Sequence, residues 1–355
     1  MADTVNTLIF DQLIQHQIYL ERFKTGELSK LQVFLQQLMD DVSGQLGARL
    51  SDAKNAGTVR NARLEALLKD IGELSDKAAE QMADATRDQL KDLASYEGGY
   101  LVAAARAVLP SVVSFEAVAP VQLWAAVEAR PFQGRVLDQW FGDYSAAQRG
   151  RIDQAIRTSV VEGETVDQTI QRLRGTRKLG YGDGIINGIN RRSAEAIART
   201  AINHTVTMAR QQTLVENQAV VSSVQWRSTL DGQTSEICIA RDGQTYPLES
   251  GPRPPAHPNC RSTIVPVIKS WKELGIDLKE AEPGTRASMN GQVPAAETYG
   301  TWLKRQPAAF QDDVLGAEKA QAFRSGKLTV QQFVDDKKGR AYSLGELKKL
   351  HPEAF

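Results

Sequence analysis

Trp226 to Pro266 reads WRSTLDGQTSEICIARDGQTYPLESGPRPPAHPNCRSTIVP, and this stretch decides the architecture. It holds both cysteines of the chain, Cys238 and Cys260, one of its four histidines, His257, and five prolines between residues 247 and 258. Val220, Val221, Val224 and Trp226 leave the helical period for a strand, and Asp231-Gly232 offers a turn. Ile237-Cys238-Ile239 and Gln244-Thr245-Tyr246, joined through Asp242-Gly243, read as short paired strands. Gly251-Pro252-Arg253-Pro254-Pro255 cannot be helix and should wrap over a surface in extended form. Thr263-Ile264-Val265 is a last strand, closed by Pro266. The segment predicts a small antiparallel β clasp set among helices, an α+β fold that is mainly α.

The sequence before the clasp is helical. Leu8, Ile9, Leu13, Ile14, Ile18 and Leu20 recur near helical spacing, and Lys24-Thr25-Gly26 offers a stop. Leu28, Leu31, Phe34, Leu35, Leu38 and Met39 make a second stripe, so residues 5–48 read as a helical hairpin. A longer helix is predicted from about Val59 to Tyr96, with Gly98-Gly99, Pro110 and Pro120 marking a hinge or domain edge. Helical signals resume at Val121. Ser145 with Gln148 reads as a capping box, Gly163 as a stop, Thr165 as a cap and Gly175 as an end. Residues 176–189 read as a glycine-rich loop. Three regions follow: an N-terminal helical arm over 1–110, a central helical domain with the clasp over 121–268, and a short-helix tail over 269–355. In the tail, SWKELGIDL reads as helix, and Ser343 with Glu346 makes a further capping box.

The most regular helix runs from Asn190 or Ser193 to about Gln218. Arg192, Arg199, Asn203 and Arg210 follow at +7, +4 and +7, so they share the face opposite its apolar stripe. That face could grip phosphate or an acidic partner. Equally, Glu195 can pair with Arg199 inside the helix. Charge is uneven around it: residues 1–148 hold 14 Lys/Arg against 20 Asp/Glu, and residues 149–210 hold 11 against 6. A basic middle behind an acidic arm suits either a nucleic-acid face or charges paired within the fold.

Composition excludes several classes. The chain has 355 residues, 41% apolar and 24% charged, as expected of a globular protein with more than one core. No run of about 18 apolar residues is present, so no membrane span is expected. MADTVNTLIFDQLIQHQ lacks the basic and apolar regions of a secretory signal. Two cysteines argue against a disulfide scaffold and for synthesis in a reducing compartment.

Cys238, His257 and Cys260 are spaced Cys-x18-His-x2-Cys. Thiolate and imidazole are the usual zinc ligands, but a closed structural site wants four. The fourth would be Asp231, Glu236, Asp242 or water. A Cys238–Cys260 disulfide and simple packing that pins the proline loop are the other readings. The short ligand set favours packing without a cofactor, with zinc as the alternative.

RSAEAIART at 192–200, Trp226 with Leu230-Asp231, Thr234 and Cys238, Asp242-Gly243, and Pro255-x-His257-Pro258-Asn259-Cys260-Arg261 together resemble the Mu F-like phage head morphogenesis family. The likeness covers roughly residues 121–268. It implies a structural minor head protein of the virion that meets the portal or major capsid protein near the portal vertex. The implied role is head assembly, DNA packaging or genome ejection, with phage DNA as a further contact of Arg192, Arg199, Asn203 and Arg210. It also implies a structural part in the clasp for Trp226, Asp231, Asp242 and Arg261. Ser235 and Ser262 stand where family members commonly carry cysteine, which weakens a zinc reading. The resemblance points away from catalysis. The competing readings are an ejected metal-assisted nuclease or transferase, with His204, His257 and Asp231 as acid–base groups, and a DNA-binding accessory factor.

Overall fold

Residues 4–50, 61–277 and 285–355 are described by a computed structural model. The fold is mainly α with small antiparallel sheets. Helix α1 runs unbroken over Thr4–Leu50. The hairpin expected around Lys24-Thr25-Gly26 is therefore a single helix. Leu28, Leu31, Leu35, Leu38, Met39, Val42 and Leu46 are buried in step with Ile9, Leu13 and Leu20, so one apolar stripe continues past Gly26. Against that burial, about 1 kcal/mol for a helical glycine is too little to end the helix.

Helix α2 spans Asn61–Val108 and also overruns its expected end. Gly98-Gly99 is no hinge. A Cβ on Gly98 would lie 2.5 Å from Leu123 Cδ1, so this glycine admits a close helix contact. Pro120 opens α3, Pro120–Ala129, where its missing N–H costs nothing. Helix α4 spans Leu137–Glu162 and takes in Ser145 and Gln148, which are not a cap. Ser145 bonds Asp76 at 3.0 Å, and the buried Gln148 bonds Ser75 at 3.1 Å. Gly163, at φ 69°, ends α4; Thr165 with Gln168 caps α5, Val166–Arg174. A 3₁₀ turn at Arg177–Leu179 and a π turn at Ile185–Asn190 lead into α6, Arg191–Glu216.

Strand β1, Val221–Arg227, is central in a three-stranded antiparallel sheet. Helix α7, Glu236–Arg241, replaces the strand expected at Ile237-Cys238-Ile239. Ser235 in extended conformation precedes it and Glu236 favours its first turn. Its turn also buries Cys238 and Ile239 in different clusters, Cys238 with Trp226 and Ile239 with Tyr299 and Trp302. On the sheet's flanks lie β2, Thr245–Pro247, and β3, Thr263–Ile268. Val224 pairs with Tyr246 on one side and Pro266 on the other. Pro266 does not close β3, because an edge strand accommodates a residue without an N–H.

The tail opens with turns at Trp271–Gly275, where a helix was expected. It continues through β4, Thr285–Ser288, and β5, Gly291–Pro294, to α8, Tyr299–Lys304, α9, Ala308–Leu315, and α10, Ala317–Arg324. The short strands β6, Val334–Asp335, and β7, Arg340–Ala341, precede α11, Leu344–Leu350, capped by Ser343 and Glu346.

The chain divides into two units. The first takes in the residues up to Glu21, Asp92–Gln133 and Asn203–Phe355. Its core joins Ile9, Leu13, Leu101 and Leu214 to Val221, Val224, Ile264 and Ile268 of the sheet. Tyr299, Trp302, Phe323, Phe333 and Leu347 of the tail pack on Leu230 and Ile239 in a second core. The second unit is Arg22–Lys91 with Gly134–Ile202. There Leu35, Leu38 and Val42 of α1 meet Leu67 and Ile71 of α2 and Ile152 and Ile156 of α4.

Candidate functional site

The clasp is held together by short polar links. β1 delivers Trp226, fully buried, whose Nε1 donates to Ser228 Oγ at 3.0 Å while Arg241 lies over its ring. Ser228 Oγ donates in turn to the Cys238 carbonyl at 2.8 Å and meets Ser262 Oγ at 2.9 Å. One serine thus ties β1, α7 and the start of β3.

Asp242 is buried after α7. Its carboxylate accepts the backbone N–H of Ser228 at 2.7 Å and of Tyr299 at 2.7 Å, and two N–H groups of Arg286 at 2.9 and 3.1 Å. Gly243 follows at φ 83°, and a Cβ there would meet Thr298 at 2.7 Å. Asp231 takes a bidentate grip from Arg261 at 2.5 and 2.7 Å and also accepts the Gln233 N–H. Glu236 is engaged by Lys319 at 2.7 Å. None of the three carboxylates considered as a fourth zinc ligand belongs to the Cys–His group, because each is committed to a cation.

Cys238, His257 and Cys260 do converge, with their ligand atoms all within 4.8 Å of one another. The geometry begins with His257-Pro258-Asn259-Cys260, a turn closed by Cys260 N–H to the His257 carbonyl at 3.2 Å. Proline at its second position and Asn259 at φ 57° at its third fit a type II turn. The turn sets Cys260 beside His257, and α7 brings Cys238 to 3.3 Å from His257 Nε2 and 3.6 Å from Cys260 Sγ. Both thiols are free and buried. The hydrogen bond from Cys238, together with His257, holds Cys260 well below the ordinary thiol range, although burial pushes the other way. Cys238 is pushed well above it by the hydrogen bond it makes to Cys260 and by burial. His257 is raised through its contact with Cys260.

The helical stripe divides. Arg192 is exposed and donates to the Gly182 carbonyl at 2.9 Å, and Arg199 is half-buried. Asn203 and Arg210 are each 1% exposed and do not face solvent, which corrects their assignment as phosphate or partner contacts. Asn203 Nδ2 donates to the Cys260 and Ser262 carbonyls at 2.8 and 3.2 Å. Arg210 pairs with the fully buried Glu97 at 3.0 Å and donates to Thr263 Oγ1 at 2.7 Å; His16 holds the other Glu97 oxygen. The helix turns these two polar residues inward because buried acceptors await them. His204 is buried too, bonded to the Val127 carbonyl at 3.0 Å and stacked on Phe132. Burial pushes its pKa down to about 4, so it stays neutral near pH 7.

Much of the basic middle segment is neutralised inside each unit. Arg149 pairs with Asp76 and Arg157 with Glu65 and Asp153; Arg172 is held by Glu162 and Glu164. Several anchors escape sequence reasoning. Arg253 donates to Gln211 at 2.7 Å and to the Pro247 carbonyl at 2.6 Å, so it fixes the proline loop. Burial, with Arg130 nearby, pulls its pKa down to about 10. Arg286 lies far along the chain from Asp242, and no local pattern announces that pairing.

The site is thus a cross-linked clasp on a helix, in which the motif residues bond chiefly to one another. Residues 150–265 match the family model described as Phage Mu protein F like protein. No curated protein and no solved structure matches the chain. No described helix is long and apolar enough to cross a membrane.

Proposed function

We propose that this chain is a structural phage head protein that joins the portal or major capsid protein inside the virion, near the portal vertex, and acts in head assembly, DNA packaging or genome ejection. The observation that carries this reading is the Mu F-like match over residues 150–265, the span that holds α6 and the clasp. The commitment of its motif residues to internal partners supports a structural role. Of the acid–base groups of the nuclease reading, Asp231 serves Arg261 and His204 is buried against a backbone carbonyl, while His257 faces the two thiols. On α6, Arg192 and Arg199 remain as candidate contacts for capsid, portal or DNA.

The test is isolation of procapsids from an infected or induced host, followed by quantitation of this chain and of the portal protein. The expected result is a fixed stoichiometry in the particle and its retention through a density gradient. A chain found only free in the lysate would overturn the proposal. For the DNA contact, Arg192→Glu with Arg199→Glu should weaken duplex binding, and wild-type affinity should fall steeply with salt. A flat salt response would remove DNA from the reading.

A further inference from the structure

We propose that Cys238, His257 and Cys260 bind one zinc ion as a structural cross-brace, with an oxygen, either Ser235 Oγ or a water against it, as the fourth ligand. The distances already have the dimensions of half a coordination shell. With Zn–S about 2.3 Å and Zn–N about 2.05 Å, tetrahedral angles give edges of about 3.8 Å between sulfurs and about 3.6 Å between sulfur and nitrogen. The corresponding separations here are 3.6 Å between Cys238 and Cys260 and 3.3 Å between Cys238 and His257 Nε2. A disulfide would need about 2.05 Å, so the two sulfurs stand at the spacing of ligands and are not bonded.

The imidazole is oriented for the same purpose. His257 Nδ1 lies 2.9 Å from the Pro258 carbonyl, to which it can only donate. That bond leaves the Nε2 lone pair directed at the sulfurs, the arrangement by which metal-binding histidines are fixed. Cys260 is fixed as well: Asn203 and its own turn hold its carbonyl and N–H.

An oxygen fits the fourth position. Ser235 stands three residues before Cys238 and Ser262 two residues after Cys260. Ser262 Oγ is already shared with Ser228, whereas the buried Ser235 Oγ makes no hydrogen bond to nitrogen or oxygen. Cys238 lies in the first turn of α7, and His257 and Cys260 sit on the turn before β3. A shared ion would therefore join the two sides of the proline loop.

The experiment uses the full chain, expressed with zinc in the medium and purified under reductant. Mass spectrometry of the metal should find about one zinc per chain, as a single site requires. Replacement by Co²⁺ should give a thiolate-to-cobalt charge-transfer band and intense tetrahedral d–d bands. Cys238→Ser with Cys260→Ser should abolish both signals, and His257→Ala should weaken binding at least tenfold. Ser235→Cys, which adds a thiolate, should tighten binding, so one variant gains rather than loses and does not depend on a damaged fold. Chelation should lower the unfolding midpoint of the wild type by about 5 °C or more and leave the double-serine variant unmoved. The proposal fails if the reduced wild type binds no more metal than the double-serine variant, or if the cobalt spectrum lacks thiolate bands.

Discussion

Glu97→Ala should strip the first unit of the anion at its centre. Glu97 is fully buried on α2, where it accepts from His16 of α1 and from Arg210 of α6 at 3.1 Å, and forms its ion pair with Arg210 at 3.0 Å. Alanine would leave the Arg210 guanidinium, itself 1% exposed, with Thr263 as its partner and no opposing charge. Removing one member of a buried pair costs about 3–5 kcal/mol, because the other charge stays out of water. Total stabilities run to about 5–15 kcal/mol, so the loss is a large share. Equilibrium urea unfolding read by tryptophan emission measures it, since Trp124, Trp226, Trp271 and Trp302 all lie in this unit. Replacing both charges, Glu97→Leu with Arg210→Met, should recover most of the loss. The pH dependence has a definite sign. Burial pushes the Glu97 carboxyl up, but the Arg210 and His16 charges and hydrogen bonds outweigh it and hold the group below its ordinary 4.5. A depressed folded pKa contributes stability above about pH 4.5 that is lost as pH falls through the lower folded value. The wild type should therefore weaken on acidification more than the double replacement does. A Glu97→Ala loss under about 1 kcal/mol, or identical acid profiles, would refute the reasoning.

Gly98→Ala should destabilise by about 1–3 kcal/mol in a thermal melt, because its Cβ would press on Leu123, whereas Gly99→Ala, with open space around it, should be neutral or gain up to about 1 kcal/mol. Asn203→Ala should cost about 1–3 kcal/mol by orphaning the Cys260 and Ser262 carbonyls, and tryptic cleavage after Arg261 should quicken; an unchanged cleavage rate would contradict that assignment. Asp242→Asn should cost about 3–5 kcal/mol by leaving Arg286 without its carboxylate, and limited proteolysis should then release the segment beginning at β4.

Helical content, the caps at Thr165 and Ser343, and the stop at Gly163 were legible because local chemistry writes them: a hydroxyl three residues before a Gln or Glu, a glycine at positive φ. The errors share a cause. Gly26 and Gly98-Gly99 look like punctuation in a single sequence, yet burial on both sides of them keeps α1 and α2 intact. Ile237-Cys238-Ile239 has strand composition, but a helical turn serves two apolar clusters at once. Heptad arithmetic put Asn203 and Arg210 on one face with Arg192 and Arg199, but at these two residues the helix is interior, covered by the start of β3 and by Glu97. Periodicity finds a common face; it does not say what lies against it. The closeness of Cys238, His257 and Cys260 followed from no local rule, since the proline loop between them has no period to read.

The polar residues of the clasp are better explained by its size than by chemistry. β1, β2 and β3 have seven, three and six residues, and so small a sheet buries too little apolar surface to hold three connecting loops by itself. The loops must be pinned individually, and the pins are the motif residues. Arg261 ties the start of β3 to the turn at Asp231, Asp242 ties the end of α7 to β1 and the tail, and Asn203 ties the helix to the His-Pro-Asn-Cys turn. Each pin is a buried or half-buried polar link with two fixed ends, so neither end can change alone without leaving the other unsatisfied. Polar residues recurring at wide spacing in the segment are accounted for without a substrate. On the same logic a zinc ion at Cys238, His257 and Cys260 would be one more pin, closing the proline loop that otherwise depends on Arg253 and its backbone acceptors.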